Sequence, residues 1–104
     1  MLNNRGTLPL SDAGVEFGAA MLKLLGNPVR LRILELLEQT GSLAVGEIVE
    51  RLSQPQPTIS QHLGAMKARG LVSSIRQNGQ VHYSIAQPQI HKLLECLRGC
   101  DPWA

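Results

Sequence analysis

The sequence predicts a mainly α-helical domain of about five helices that carries one β-hairpin, the arrangement called a winged helix-turn-helix. Apolar residues recur at helical spacing in two segments joined by a tight turn, at about 45–52 and 56–69. Two β-like segments follow, and Asn78-Gly79 between them supplies the positive φ angles of a two-residue hairpin turn. Further helical segments precede and follow this unit. Together these three observations predict the fold class.

Acidic residues are missing from the middle of the chain. Between Glu50 and Glu95 there is no carboxylate, so this segment carries a formal charge of +5 while the whole chain carries +2. Its basic residues are Arg51, Lys67, Arg69, Arg76 and Lys92. A surface of one sign is expected where a polyanion binds, because each neutralised phosphate releases counterions. Double-stranded DNA is favoured over single strands, since three aromatic residues are too few for a stacking platform.

Length and composition limit the class of protein. The 104 residues suffice for one domain, predicted over 11–104, and the aperiodic residues 1–10 are predicted to form a flexible arm. Two cysteines are too few for a secreted disulfide framework. No signal peptide is recognisable, and no apolar run approaches the roughly 20 residues that span a bilayer. These features predict a cytoplasmic protein without a membrane partner.

The two N-terminal helices have clear starting signals. Ser11 is a good cap for a first helix over about 12–25, which is apolar nearly all round and is therefore predicted to be buried on more than one side. In so small a protein this indicates a dimer interface. Asn27 and Pro28 suit the cap and first position of a second helix that runs to about Gln39.

The fourth helix, over about Gln56 to Arg69, is the candidate reader of DNA. Ile59, Leu63 and Met66 are predicted to face inward. The opposite face carries Gln56, Thr58, Ser60, Gln61, Lys67 and Arg69. Glutamine suits bidentate pairing with adenine, and Ser or Thr suits phosphate or base contacts, while the first turns of such a helix enter the major groove. The alternative is a solvated polar face.

The hairpin and three other polar residues offer further candidate contacts. At the hairpin tip, Arg76 is placed for phosphate or minor-groove contact beside Asn78, the alternative being a solvated turn. Arg30 and Arg32 on the second helix are either solvated charges or phosphate contacts. His62 adjoins the apolar stripe of the fourth helix, so a half-buried structural histidine is favoured over a base contact.

Four segments carry a resemblance to a known family. Leu25–Leu34 (LGNPVRLRIL), Gln56–Leu63 (QPTISQHL), Gly70–Val72 (GLV) and Val81–Ser84 (VHYS) are similar to the ArsR/SmtB family. That family comprises small bacterial winged-helix repressors, usually homodimers, which leave their operators when an inducer binds. The resemblance spans about residues 15–98.

The resemblance implies roles for particular residues. The first and last helices would form the dimer interface, and Gln56, Ser60 and Gln61 would occupy the family's base-reading positions. One departure precedes that helix, where Pro55 stands in place of the usual capping serine and Gln54 in place of a leucine. The expected function is a homodimeric repressor that binds a pseudo-palindromic operator. A winged-helix protein-interaction module is the alternative, and no catalytic constellation predicts an enzyme.

The inducer sites of the best-known members are absent. The arsenic-type site needs the cysteines of a Leu-Cys-Val-Cys motif, where this chain has Leu43-Ala44-Val45-Gly46. The zinc-type site begins with Asp and His two positions apart, where this chain has Gln87 and Gln89. Sensing by either known site is therefore not expected.

Cys96 and Cys100 are the remaining candidate sensor residues. The last helix is predicted over about 88–98. If it persists to Cys100, the two cysteines lie on one face of it, because they are four positions apart. A dimer would bring four thiols together for a thiophilic ion such as As(III), Sb(III), Cd or Zn, with help from His91, Glu95 or Asp101. Reversible oxidation or sulfur-species sensing is the functional alternative, and two small buried side chains the structural one.

Overall fold

A computed structural model describes residues 4–100 and Pro102, and within them five helices and three strands. The elements are α1 Asp12–Leu25, α2 Pro28–Thr40, β1 Leu43–Ala44, α3 Val45–Leu52, α4 Gln56–Ala68, β2 Val72–Gln77, β3 Gln80–Ile85 and α5 Gln89–Arg98. The predicted fold class is confirmed. None of the described helices is long and apolar enough to cross a bilayer. Three residues of the predicted arm, 1–3, lie outside the described residues.

Both predicted caps at the N-terminal helices are present. The Ser11 hydroxyl accepts the Gly14 N–H at 3.0 Å. The Asn27 carboxamide accepts the N–H groups of Val29 at 2.9 Å and Arg30 at 3.2 Å. These bonds satisfy donors that the first turn of a helix leaves without intrahelical partners. The residue pattern therefore identified the beginnings of α1 and α2 correctly.

The core lies where α2, α3, α4 and α5 meet the sheet. Ile59, Leu63 and Met66 of α4 are fully buried, which confirms the predicted inward face. The other fully or nearly fully buried core residues include Ile33, Leu34, Leu37, Ile48, Val72, Ile90 and Leu94. Helical spacing groups Leu97 with Ile90 and Leu94 and so predicts its burial, which is wrong for one subunit, since 41% of it is exposed. Leu97 lies in the last turn of α5, on a side that the described part of the chain leaves open.

The sheet contains a strand that the sequence did not predict. Its order is β1-β3-β2, with every neighbouring pair antiparallel. Leu43 and Ala44 of β1 pair with Tyr83 and His82 of β3. Two residues are too few to display the alternation that predicts a strand. The pairing attaches the wing to the beginning of α3.

The hairpin turn itself is as predicted. Gln77 pairs with Gln80, which leaves Asn78 and Gly79 as the two turn residues. Their φ angles are 52° and 78°. Both positive values belong to the two-residue turn that matches the twist of the strands, and Asn and Gly adopt them most readily.

α1 is attached to the rest of the chain mainly at its C-terminal end. Leu25 is its one buried residue. Val15, Phe17 and Leu22 are 52%, 64% and 66% exposed. Three large apolar side chains exposed on one helix are unusual on a monomer surface and indicate an interaction site.

Candidate nucleic-acid interface

The turn between α3 and α4 differs from the capped form that the resemblance implies. In the first turn of α3 the Glu47 carboxylate accepts the Ala44 N–H at 3.0 Å, and the helix is followed by Ser53 at a left-handed φ of 53°. Pro55 then occupies the cap of α4 and offers no side-chain acceptor. Its carbonyl still accepts the Ile59 N–H at 3.1 Å, so α4 begins at Gln56 as expected.

The first two turns of α4 present a polar face to solvent. Gln56, Ser60 and Gln61 are exposed, and Thr58 is half-buried. Within the described residues none of these four side chains makes an intramolecular hydrogen bond. Their donors and acceptors are therefore available to a ligand, while the opposite side of the helix is held in the core. This arrangement is the one that a major-groove reader needs.

Lys67 lies further along α4 and contacts the wing. Its ammonium donates to the Ser74 hydroxyl of β2 at 2.6 Å. The contact joins α4 to the hairpin and leaves two of the three ammonium N–H groups available. No local pattern predicts this partner, because seven positions and a change of element separate the two residues.

The wing carries its predicted cation at the tip. Arg76 is exposed, and its guanidinium donates to the Gly79 carbonyl at 3.5 Å across the turn. Asn78 is exposed beside it in the turn. Both candidate wing residues are thus accessible, and Arg76 is oriented toward the tip.

The basic residues of the acid-free segment do not form one surface. Arg69 lines an apolar depression between α1 and α5, near Phe17 and Leu71. Lys92 lies on α5 beside Glu38 and Cys96, in a different depression. The charge pattern along the chain predicted a continuous cationic face, but Arg69 and Lys92 line two separate depressions. Lys67 lies on α4 itself, and Arg76 lies at the tip of the wing.

Arg30 and His62 form an internal hydrogen-bonded pair. Arg30 Nε donates to His62 Nδ1 at 2.9 Å, and Arg30 Nη1 donates to the Leu24 carbonyl at 2.9 Å. Burial lowers the pKa of His62, and the positive charge of Arg30 lowers it further. The imidazole is therefore neutral and accepts through Nδ1, so the prediction of a half-buried structural histidine is confirmed. Arg32, by contrast, is exposed and pairs with Glu35 at 2.8 Å.

The two cysteines are free thiols in different surroundings. Cys96 is exposed and lines a depression with Glu38, His91 and Glu95. Cys100 is half-buried beyond the end of α5 and lines a separate depression between α2 and α5. The structural alternative of two buried side chains is wrong for Cys96. Because α5 ends at Arg98, the two cysteines do not share one face of this helix, and one subunit places the two thiols against different neighbours.

The acidic and imidazole groups near Cys96 are already engaged. Glu38 binds His91 Nδ1 at 3.0 Å and also forms an ion pair with Arg98, which in turn binds Glu95 at 3.1 Å. Arg98 is the main cause, and His91 the second, of the lowered pKa of Glu38. Asp101 lies outside the described residues. Within the described part of one subunit, no three His, Cys, Asp or Glu side chains are grouped to hold a metal ion.

Gln87, at a position where zinc-type members have a ligand, has a structural role here. Its carboxamide donates to the Gly70 carbonyl at 3.3 Å, just after α4.

Comparison with known proteins places this geometry in a family. Residues 27–74 match the family model described as bacterial regulatory protein, arsR family. An uncharacterized HTH-type transcriptional regulator of Methanocaldococcus jannaschii is 36% identical over 80 residues, which cover 77% of this chain and 90% of that protein. The transcriptional repressor PagR of Bacillus anthracis is 35% identical over 83 residues, covering 80% of this chain and 83% of PagR.

Solved structures agree with the sequence relatives. The crystal structure of PagR has a TM-score of 0.75 at 32% identity and covers 84% of this chain and 99% of that chain. A homodimeric winged helix-turn-helix DNA-binding domain of Mycobacterium bovis, a possible ArsR-family regulator, has a TM-score of 0.73 at 32% identity. That match covers 89% of this chain and 88% of the other. The chain therefore belongs to the ArsR family of winged-helix, DNA-binding transcriptional regulators, and it is not an enzyme.

Proposed function

We propose that the protein is a repressor that binds a pseudo-palindromic operator as a homodimer and is released by an inducer that its thiols bind. The DNA-binding part of the proposal rests on the polar face of α4, where Gln56, Ser60 and Gln61 are exposed and make no side-chain hydrogen bond within the described part of the chain. Each α4 would lie in the major groove, and the wing with Arg76 and Asn78 would lie beside the phosphates.

The exposed apolar side of α1 supports a homodimer. Val15, Phe17 and Leu22 are each more than half exposed, and Leu97 of α5 adds a fourth apolar side chain. Burying large apolar side chains is the main driving force of association. The M. bovis relative, similar over most of both chains, is homodimeric. Two recognition helices in such a dimer would read half-sites about one helical turn, ~34 Å, apart.

Gln61 is expected to contribute to the choice of sequence. Replacing Gln61 by alanine removes a bidentate base partner, so affinity for an operator is expected to fall by about 1–3 kcal/mol. Affinity for random duplex DNA is expected to change much less. The operator is first selected from a random duplex library with the wild-type protein, and fluorescence anisotropy then measures both affinities. Gln39→Ala, an exposed glutamine on α2, is the matched control. Equal loss on both DNAs would place Gln61 on the phosphate backbone instead.

A thiophilic metal or metalloid is the inducer that the thiol pair supports best. Cys96 and Cys100 are free, and thiolates are soft ligands that bind As(III), Sb(III) or Cd in preference to hard cations. Two thiols of one subunit are too few for a four-coordinate ion such as Zn, and the nearby His91 and Glu95 are engaged with other residues. The proposal therefore requires thiols from both subunits.

Sensing of oxidants or sulfur species is the second candidate for the same thiols. The observation that favours it is the exposure of Cys96, because accessible thiols react first. A protein-interaction role is a further alternative to DNA binding. Since phosphate contacts release counterions, a steep fall of affinity with salt favours the repressor and a shallow one the interaction module.

Replacing both cysteines by serine is expected to leave operator binding intact and abolish release. The test adds arsenite, antimonite, cadmium or a persulfide donor to the operator complex and follows anisotropy. The single variants separate the two chemistries. If a metalloid is held by both thiols, release from the operator is expected to be lost in Cys96→Ser and in Cys100→Ser alike. If oxidation begins at the exposed thiol, release is expected to be lost chiefly in Cys96→Ser. If the double variant still dissociates, the thiols are not the switch.

A further inference from the structure

α1 and the recognition helix are connected through one side chain. The Leu24 carbonyl near the end of α1 accepts Arg30 Nη1 at 2.9 Å. The same guanidinium donates through Nε to His62 Nδ1 on α4, also at 2.9 Å. Since Leu25 is the one buried residue of α1, the bond to Leu24 is made where α1 joins the core.

The geometry of arginine makes this connection stiff. The guanidinium is planar, so the directions of its N–H groups are set relative to each other, and neither bond can move independently of the other. The pair is part-buried, which strengthens hydrogen bonds and penalises a polar group that loses its partner. Arg30 lies in the first turn of α2, where the Asn27 cap accepts its backbone N–H.

His62 occupies a sensitive position on α4. It stands between Gln61, which is exposed, and Leu63, which is fully buried. A rotation of α4 about its axis that moves His62 must therefore move the polar face as well. The imidazole is available as an acceptor because its pKa lies below the ordinary value, mainly through burial.

We propose that Arg30 is a positioning residue that holds α4 at a defined rotation relative to the end of α1, and so transmits a shift of α1 to the base-reading side chains. The inference rests on the proposed function, in which α1 belongs to the dimer interface and α4 reads DNA. It identifies a physical connection between these two surfaces within one subunit. Both ends of the connection contact the same side chain, and hydrogen-bond networks of this kind can carry coupling between two sites.

The experiment compares two conservative substitutions on the same helix. Arg30→Lys keeps the charge but replaces the planar fork by a single ammonium, which cannot reproduce both bonds. Arg32→Lys is the matched control, because Arg32 is exposed and its pair with Glu35 is a surface ion pair. For each variant we measure the affinities for the selected operator and for random duplex. Light scattering gives the mass of the dimer, and thermal unfolding gives the midpoint temperature.

Arg30→Lys is expected to weaken operator binding by about tenfold, since a hydrogen bond to a charged partner is lost. Binding to random duplex is expected to stay within about twofold, because the net charge is unchanged. Arg32→Lys is expected to behave as the wild type. If the two variants behave alike, or if Arg30→Lys weakens both DNAs equally, the positioning role is wrong. If the wild-type protein selects no duplex or is a monomer, the proposed function fails, and the positioning role with it.

Two further measurements keep the inference testable should Arg30→Lys be unstable. His62→Asn retains an acceptor close to Nδ1 and is expected to keep operator discrimination, whereas His62→Leu is expected to lose it. If both variants lose operator discrimination, His62 does not act as the hydrogen-bond acceptor. In the wild type, nitrogen NMR of the imidazole is expected to show Nε2 protonated and Nδ1 unprotonated. The opposite tautomer would exclude the bond from Arg30.

Discussion

Replacing Phe17 by glutamate is expected to give a folded monomer that binds the two-half-site operator roughly 100-fold more weakly or worse, because the second recognition helix is no longer tethered. Phe17 is 64% exposed in one subunit, so the fold does not depend on burying it. A carboxylate in an apolar interface would lose its hydration without gaining a partner. Light scattering measures the dimer, circular dichroism the fold and fluorescence anisotropy the operator affinity.

The matched control for this variant is Gln39→Glu. It adds the same charge at an exposed position of α2, away from the exposed apolar side of α1. This control is expected to remain a dimer and to bind the operator nearly as well as the wild type. A Phe17→Glu protein that stays dimeric would show that the subunits associate through another surface.

Replacing Leu63 by alanine is expected to lower the free energy of unfolding by about 2–5 kcal/mol, the range for a leucine deleted from a packed core. Leu63 is fully buried, between the other two inward residues of α4, Ile59 and Met66. The loss combines the transfer of the removed carbons with the cavity left behind. Because a loss of this size is a large fraction of the stability of a small domain, we expect operator binding to fail at physiological temperature.

Chemical denaturation measures this change. The control is Leu10→Ala, since Leu10 is 77% exposed and its truncation is expected to change stability by less than about 0.5 kcal/mol. Both proteins must be compared at one protomer concentration, because association stabilises the folded state by mass action. A Leu63→Ala protein as stable as Leu10→Ala would mean that the core relaxes to fill the space.

Local signals in the sequence were sufficient for the secondary structure that carries the candidate site. The caps at Ser11 and Asn27 and the turn at Asn78-Gly79 act within three or four residues, so their geometry follows from the residues themselves. The inward face of α4 was predictable as well, because helical spacing alone groups Ile59, Leu63 and Met66. The polar face on the opposite side of α4 consists of the residues that remain, so it was predictable too.

The mistaken or missing predictions all concern contacts between distant residues. β1 was missed because its partner residues lie about 40 positions later in the chain, as the pairing of Leu43 with Tyr83 shows. The distribution of charge along the chain does not predict that Arg69 and Lys92 line depressions away from the polar face of α4. Glu38, which pairs with His91 and Arg98 of α5, carried no local signal of that role.

The sequence by itself determined where the helices and the hairpin begin and end, which side of α4 is apolar, and which family the chain resembles, because these depend on short-range spacing. Only the tertiary structure decided that Arg30 faces inward to Leu24 and His62 instead of outward to solvent. The same holds for the separate surroundings of Cys96 and Cys100. Such contacts depend on how helices cross, and crossing geometry arises from the packing of the whole core, which no local spacing encodes.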